Sequence, residues 1–269
     1  MSEISVILPV CNHEKHVHDA VKSILNQSFQ DFELMIADYG SMDDTLSIVN
    51  SFDDSRIRKI ARNDIDNRIN ALNAELESAS GNYIAMMEAD HVMHVDRLKI
   101  QHATMEAEPT ITVCSSRIKQ VGARKPERKV AKSSTSVGGL FENHLLDFLW
   151  GNCIAHTTVM IRNQFLKEHQ LRYENYSDAE DFKLWAEIAK RGGQFYIDTQ
   201  TLLSCHAANQ QEDEQKLRSS ENVIHEIVEF LVLLPFVWKH IQIPMKEQYC
   251  NSEVFGISVS SSNCFQFLY

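Results

Sequence analysis

Residues 4–14 read Ile4-Ser5-Val6-Ile7-Leu8-Pro9-Val10-Cys11-Asn12-His13-Glu14. A β-branched, nearly continuous apolar run at 4–8 gives way at Pro9 to a polar turn. The next segment, 14–26, places Val17, Ala20, Val21, Ile24 and Leu25 at i, i+3, i+4, i+7 and i+8, the spacing of one helical face. A strand that feeds a helix through a polar turn is the opening of a βαβ unit.

Beyond this opening, β-rich runs recur at 32–37, 56–60, 83–87 and 111–114, at intervals of roughly 25 residues. A second helical segment carries Ile69, Leu72, Leu76 and Ala79, with Gly81 as its expected C′ residue. A third begins near Asp96 and stops before Pro109. Strands alternating with helices predict an α/β fold, a mixed and mostly parallel sheet flanked by helices on both faces. An α+β fold without nucleotide chemistry is the competing reading of the pattern.

The second half is less regular. Residues 120–136 are basic and polar, with Arg124, Lys125, Arg128, Lys129 and Lys132, and read as a mobile surface loop before a binding element. Order returns at 140–149, a β-like segment follows at 157–161, and a helix at 180–191 is closed by Gly192-Gly193. The polar stretch 209–218 leads into 223–234, where Ile224, Ile227, Val228 and Leu231 form one apolar stripe. That stripe reads as a helix packed on the body or on a second subunit, which leaves a homodimer open. Glu226 and Glu229 beside it count against membrane-surface binding, although peripheral contact stays open. The Ser-rich tail after Tyr249 carries no readable pattern. The expected division is 1–115, 116–211 and a helical extension with tail at 212–269.

The 269 residues carry 26 basic and 37 acidic side chains, a net charge of −11, which repels phosphate backbones and excludes nucleic acid as the expected partner. With 43% hydrophobic residues the chain can bury a proper core, which excludes wholesale disorder. Six scattered cysteines without a C-x-x-C pair read as free thiols of a reducing compartment. Met1-Ser2-Glu3-Ile4 lacks a signal peptide's basic and apolar regions, and the longest apolar stretch, 230–238, falls short of the about 20 residues that span a bilayer. These features predict a cytoplasmic protein without a transmembrane segment.

Ligands of open parallel sheets bind at the carboxyl ends of strands. Three such ends carry polar groups here: Pro9 to Glu14, Asp38-Tyr39-Gly40-Ser41-Met42-Asp43-Asp44, and Glu88-Ala89-Asp90. Each alone fits ordinary turn capping. Together they point to one ligand-binding edge. On an extended segment Glu88 and Asp90 face the same side, and paired carboxylates beside a diphosphate make a hard-oxygen site for Mn²⁺ or Mg²⁺.

Ile4 to Asn12 resembles the opening of family 2 glycosyltransferases. So do Ser23-Ile24-Leu25-Asn26-Gln27-Ser28-Phe29, Asp31-Phe32-Glu33-Leu34, Asp38-Tyr39-Gly40-Ser41 with Asp44-Thr45, Asn73-Ala74, Gly81 to Ala85, Glu88-Ala89-Asp90 and Asp96-Arg97-Leu98. The similarity resumes at His156 to Arg162, at Ala179-Glu180-Asp181-Phe182-Lys183-Leu184-Trp185, and at His206 with Asn209-Gln210. The resemblance implies a GT-A fold, a Rossmann-like nucleotide-sugar-binding half followed by an acceptor-binding half. It also implies an inverting, metal-dependent transfer from a nucleotide-diphospho-sugar, most often UDP-linked. The acceptor would be a glycan or lipid-linked molecule of surface polysaccharide synthesis, which allows work at the inner face of the membrane.

By that resemblance Asp38 contacts the base, and Pro9, Asn12, Glu14, Arg68, Glu88 and Ala89 line the nucleotide. Asp90 is the metal ligand, with His206 as a further one. Asp181 is the catalytic base, and His156, Glu180 and Trp185 serve the acceptor or support the base. Departures stand beside the matches: Tyr39 replaces the second Asp of a usual pair, Cys11 a usual aromatic, Ile69 a common Gly, and Thr157 a frequent Pro, while Glu88 is longer than the usual Asp. They keep a nucleotide-sugar-binding or regulatory subunit open as an alternative. A nucleotidyltransferase is disfavoured, because residues 9–14 lack glycine. His13, His16, His18, His91 and His94 read as surface or turn residues before ligands.

Overall fold

The computed structural model describes residues 2–60, 65–121, 138–141, 144–176, 179–206, 214–232, 257–259 and 265–267. The chain forms a large unit, Met1–Ile227, and a small one, Val228–Tyr269. In the small unit an antiparallel pair joins β10 (Ile257–Val259) to β11 (Phe265–Phe267).

The opening run is β1 (Ile4–Val10), with all seven residues buried, as continuous apolar character requires of a strand covered on both faces. It pairs in parallel with β2 (Phe32–Asp38) on one side and β4 (Tyr83–Met86) on the other, and β3 (Ile57–Ile60) extends the sheet beyond β2. The carboxyl ends of β1, β2 and β4 therefore open on one edge, as expected. Helix α1 (Val17–Leu25) lays Val17, Ala20, Val21 and Ile24 into the core that Val6, Leu8, Leu34 and Ile36 share. Burying each larger aliphatic there contributes about 1.5–3 kcal/mol before entropy is counted. The helix starts three residues later than its pattern, because Glu14 is held in a turn by Asp43 and Asp44. The short α2 (Thr45–Asn50) follows β2.

Helix α3 (Arg68–Ser78) ends at Ala79, so Gly81 is not its C′ residue. Gly81 serves a close approach instead: a Cβ there would meet Ser5 N at 2.6 Å and Ile4 C at 2.9 Å. Its N–H donates to Ser5 Oγ at 2.9 Å.

Beyond β4 the sheet continues with β8 (Met160–Arg162), β6 (Ile111–Val121), β9 (Gln194–His206) and β5 (His91–Met93), giving the mixed order β3-β2-β1-β4-β8-β6-β9-β5, with β7 (Gly139–Leu140) also on β9. Helix α4 (Arg97–Ala107) precedes β6 (Ile111–Val121). The first strands are parallel, but β8 (Met160–Arg162) enters antiparallel between β4 and β6. Strand β6 is longer than its apolar signal at 111–114 because only its first six residues are buried; the exposed remainder is held by β9 (Gln194–His206). Gln120 and Val121 thus belong to a strand, and the rest of the expected basic loop, 122–136, lies outside the described residues.

The expected β segment at 157–161 is in part a tight turn, His156–Thr158, closed by Thr158 Oγ1 donating to the Ala155 carbonyl at 2.7 Å. Helices α5 (His144–Phe148), α6 (Asn163–Glu168) and α7 (Glu180–Lys190) complete this half, α7 ending at Gly192 with φ +81°. Helix α8 (Glu214–Val232) begins before its stripe; Val223 and Ile227 are buried, and Glu226 pairs with Lys183 of α7. Packing on the body is thus the role this part of the stripe fills. Among the described residues no helix is long and apolar enough to cross a membrane. Cys11, Cys114, Cys153 and Cys205 are free.

Candidate active site

The loops after β1 and β2 are stitched together by side chains. Asn12, in the left-handed region at φ 57°, receives the Ser41 hydroxyl as acceptor for its N–H at 3.0 Å, and its Oδ1 accepts from Met42 N at 2.9 Å. Glu14 N–H donates to Asp43 at 3.1 Å, and the Glu14 carboxylate accepts from Asp44 N at 3.3 Å. Asn12 and Glu14 therefore shape the loop pair with the groups expected to line a nucleotide. Asp38, at the end of β2, accepts the Ser41 hydroxyl at 2.5 Å, which fixes its carboxylate at the site edge. Pro9 and Asp38 come together by register, because Pro9 pairs with Ala37 and Val10 with Asp38. Tyr39 lies near Arg68, Cys11, Glu88 and Asp38; burial raises its phenol, and the Arg68 charge opposes the rise.

After β4 the chain turns at Ala89-Asp90, with His91 N–H donating to the Glu88 carbonyl at 3.1 Å. Glu88 and Asp90 are thus not two teeth of an extended strand. They converge because β5 (His91–Met93) brings the His91 ring between them. His91 Nδ1 lies 2.6 Å from Asp90 Oδ1 and 3.9 Å from Glu88 Oε2. His91 is buried and not a surface residue, whereas His94 is exposed as expected. The hydrogen bond from His91 lowers the Asp90 carboxyl against the upward push of burial. Donor atoms of Glu88, Asp90 and His91 all lie within 4.8 Å of one another, a carboxylate-rich set that suits Mn²⁺ or Mg²⁺.

Arg68, the first residue of α3, ties this turn to the second half. One guanidinium nitrogen donates to Glu88 Oε1 at 2.9 Å, the other to Glu180. His156 Nδ1 stands 3.4 Å from Arg68 and 3.7 Å from Glu88 Oε1. Burial works to raise the Glu88 carboxyl, but His156, Arg68 and His91 outweigh it and hold it far below the usual carboxylate range. On its other side His156 Nε2 meets the Tyr173 hydroxyl at 2.8 Å, and the Trp185 ring lies 6.2 Å away. Trp185 is fully buried, so it supports the site from below and does not reach an acceptor.

Asp181 sits beside Glu180 in the first turn of α7. Its Oδ2 accepts from the Asn152 amide at 2.9 Å and its Oδ1 from Phe182 N–H at 2.7 Å. These two bonds orient the carboxylate at the start of the helix. His206 ends β9, one residue past Cys205, whose Cα pairs with His91. Its backbone position is therefore next to the acidic turn.

The family model of glycosyl transferase family 2 matches residues 5–169, more than half of the chain. The chain belongs to glycosyl transferase family 2. An uncharacterized glycosyltransferase of Haemophilus influenzae is 29% identical over 198 residues, which is 70% of this chain and 61% of that relative. A UDP-Glc:alpha-D-GlcNAc-diphosphoundecaprenol beta-1,3-glucosyltransferase of Escherichia coli, WfaP, is 27% identical over 71% of this chain and 72% of its own. The chain spans less than two thirds of the first of these. Among solved structures, S. aureus TarS 1–349 in complex with UDP-GlcNAc superposes with a TM-score of 0.68 at 18% identity, covering 86% of this chain and 67% of that one. The fold is the GT-A fold that the sequence implied. The family 2 match stops before Glu180, Asp181 and Trp185, which the site's geometry alone connects to the acidic turn.

Three residues of this candidate site carry no local signal. Tyr173 and Asn152 lie in irregular segments, and His91 follows the acid pair without periodicity. Only the turn at 89–90 shows that the ring faces the carboxylates.

Proposed function

We propose that the chain is an inverting glycosyltransferase that moves a sugar from a nucleotide-diphospho-sugar, UDP-linked by preference, onto a glycan or lipid-linked acceptor of surface polysaccharide synthesis. The observation that carries this reading is the Arg68 bridge, which joins Glu88 of the acid turn to Glu180 beside Asp181. It supports treating residues 1–115 as the donor half and 116–211 as the acceptor half of one site.

In the reaction, Asp181 takes the proton of the acceptor hydroxyl as that oxygen attacks the anomeric carbon. The new glycosidic bond forms as the bond to the diphosphate breaks, and the nucleoside diphosphate leaves with the electron pair. Asn152 and Phe182 N–H hold the Asp181 carboxylate for this transfer. Asp38 at the strand end and the knotted loop from Pro9 to Glu14 seat the nucleotide. A divalent cation held by Glu88 and Asp90, with His206 at hand, would neutralise charge on the leaving diphosphate.

Calorimetry of UDP, GDP, CDP and dTDP, each with and without Mn²⁺, tests the donor half. Selective, metal-dependent UDP binding that Asp90→Ala abolishes supports the reading; absence of binding under every condition refutes it. Nucleotide binding without sugar transfer to any acceptor would instead favour the binding-subunit alternative that Tyr39 and Cys11 suggest.

A further inference from the structure

His91 is the one member of the acid turn that the family resemblance leaves without a role. The two oxygens of Glu88 are divided: Oε1 faces Arg68 at 2.9 Å and His156 at 3.7 Å, while Oε2 faces His91 at 3.9 Å. Asp90 Oδ1 lies 2.6 Å from the same His91 nitrogen. The ring is buried and its strand is anchored, because Val92 and Met93 continue the pairing with Ser204 and Leu203 that His91 begins with Cys205. The arrangement therefore gathers one imidazole nitrogen and two carboxylates within 4.8 Å of one another, and the proton that now bridges Nδ1 to Asp90 leaves to solvent as the nitrogen takes the cation.

Adjacent donors on a six-coordinate ion with bonds of about 2.1–2.2 Å stand about 3 Å apart, and opposite ones about 4.3 Å apart. The distances of 2.6 and 3.9 Å here need only shifts of a few tenths of an ångström to meet that geometry. Mg²⁺ prefers an all-oxygen octahedron, whereas imidazole nitrogen suits first-row transition metals.

We propose that His91 supplies a nitrogen donor to the divalent cation of this site and thereby makes it select Mn²⁺ over Mg²⁺. The inference rests on the metal-dependent reading above, and it adds which residue sets the metal preference. Imidazole in place of an oxygen donor strengthens Mn²⁺ binding and leaves Mg²⁺ dependent on Glu88, Asp90 and water.

The test is pulsed electron paramagnetic resonance of Mn²⁺ bound to the full chain with UDP, a readout independent of turnover. The expected spectrum shows ¹⁴N coupling that changes to the ¹⁵N pattern on labelling with ¹⁵N-histidine. His91→Asn loses one ¹⁴N coupling that His206→Asn and His156→Asn keep. Competition calorimetry should show the Mn²⁺:Mg²⁺ affinity ratio of His91→Asn falling by about tenfold or more. Mn²⁺ bound without nitrogen coupling, or a nitrogen spectrum unchanged in His91→Asn, overturns the assignment. Failure of the wild-type chain to bind Mn²⁺ with UDP overturns the metal-dependent reading as well. If His91→Asn does not fold, the labelled wild type and the other two variants still decide: coupling lost in either of those sinks the proposal.

Discussion

The Glu33→Gln substitution gives a quantitative check on how the donor edge is held. Glu33 lies in β2 and is almost fully buried. Its Oε1 accepts from the Ser5 hydroxyl of β1 at 2.6 Å and from the Ser80 N–H and hydroxyl, both at 2.8 Å. Its Oε2 accepts from Arg58 at 2.6 Å. Burial pushes the carboxyl up, but the bonds from Ser5, Arg58 and Ser80 win and bring it from the ordinary 4.5 to about 2. A carboxyl held that far down corresponds to about 3 kcal/mol of folding free energy.

The sign follows from linkage. A carboxyl depressed in the fold stabilises it fully above its unfolded value, and the contribution is lost as pH falls from 4.5 toward 2. The wild type should therefore exceed Glu33→Gln by about 3 kcal/mol at pH 7, and the gap should close by roughly 1 kcal/mol at pH 3.5. Urea denaturation followed by tryptophan fluorescence at the two pH values measures both numbers. A gap that stays constant between pH 7 and pH 3.5 would show that the carboxylate charge is not what ties β2 to β1.

Three further outcomes probe the site and its frame. Asp181→Asn keeps an acceptor for Phe182 N–H but cannot take a proton, so transfer should fall by about 10²–10⁴ with UDP affinity unchanged in calorimetry. Arg68→Met and Glu180→Gln share one ion pair, so a double-mutant cycle on stability should give a coupling of at least about 0.5 kcal/mol; strict additivity would dissolve the bridge between the halves. Gly81→Ala should destabilise the chain by about 1–3 kcal/mol in urea melts, because the added methyl meets backbone of β1 and not a flexible side chain.

The parallel half of the sheet was legible because its signals are local. The apolar run at 4–8, the helical spacing of Val17 to Leu25 and the regular return of β-rich segments each need only a short window. What those windows miss is anything set by a distant partner. The second half of β6, with its alternation of exposed polar residues, becomes a strand only because β9 lies against it. The three-residue β5 and β8 are too short to show a period, and each exists through pairing, β5 with β9 and β8 with β4 and β6. Gly81 reads as a helix end but serves a close strand contact, since both ask for the same missing Cβ.

The same division explains the site. Asp38, Glu88 and Asp90 were readable because strand ends in a parallel sheet must lie together, and the order β2-β1-β4 does bring them to one edge. The rule that residues two apart share a face then failed at Glu88 and Asp90, where the chain turns and does not extend. Their convergence is produced by His91, a residue whose burial depends on β9, more than a hundred positions later in the chain. Arg68 and Glu180 are likewise 112 residues apart, and no period or motif links them. In water such a pair would contribute little; under α3 and α7 it sits among His156, Tyr173 and Trp185, where screening is reduced. The proposed role of Asp181 as base therefore draws its support from a contact that sequence alone could not display: its neighbour Glu180 is tethered to the residue that also holds the acid turn.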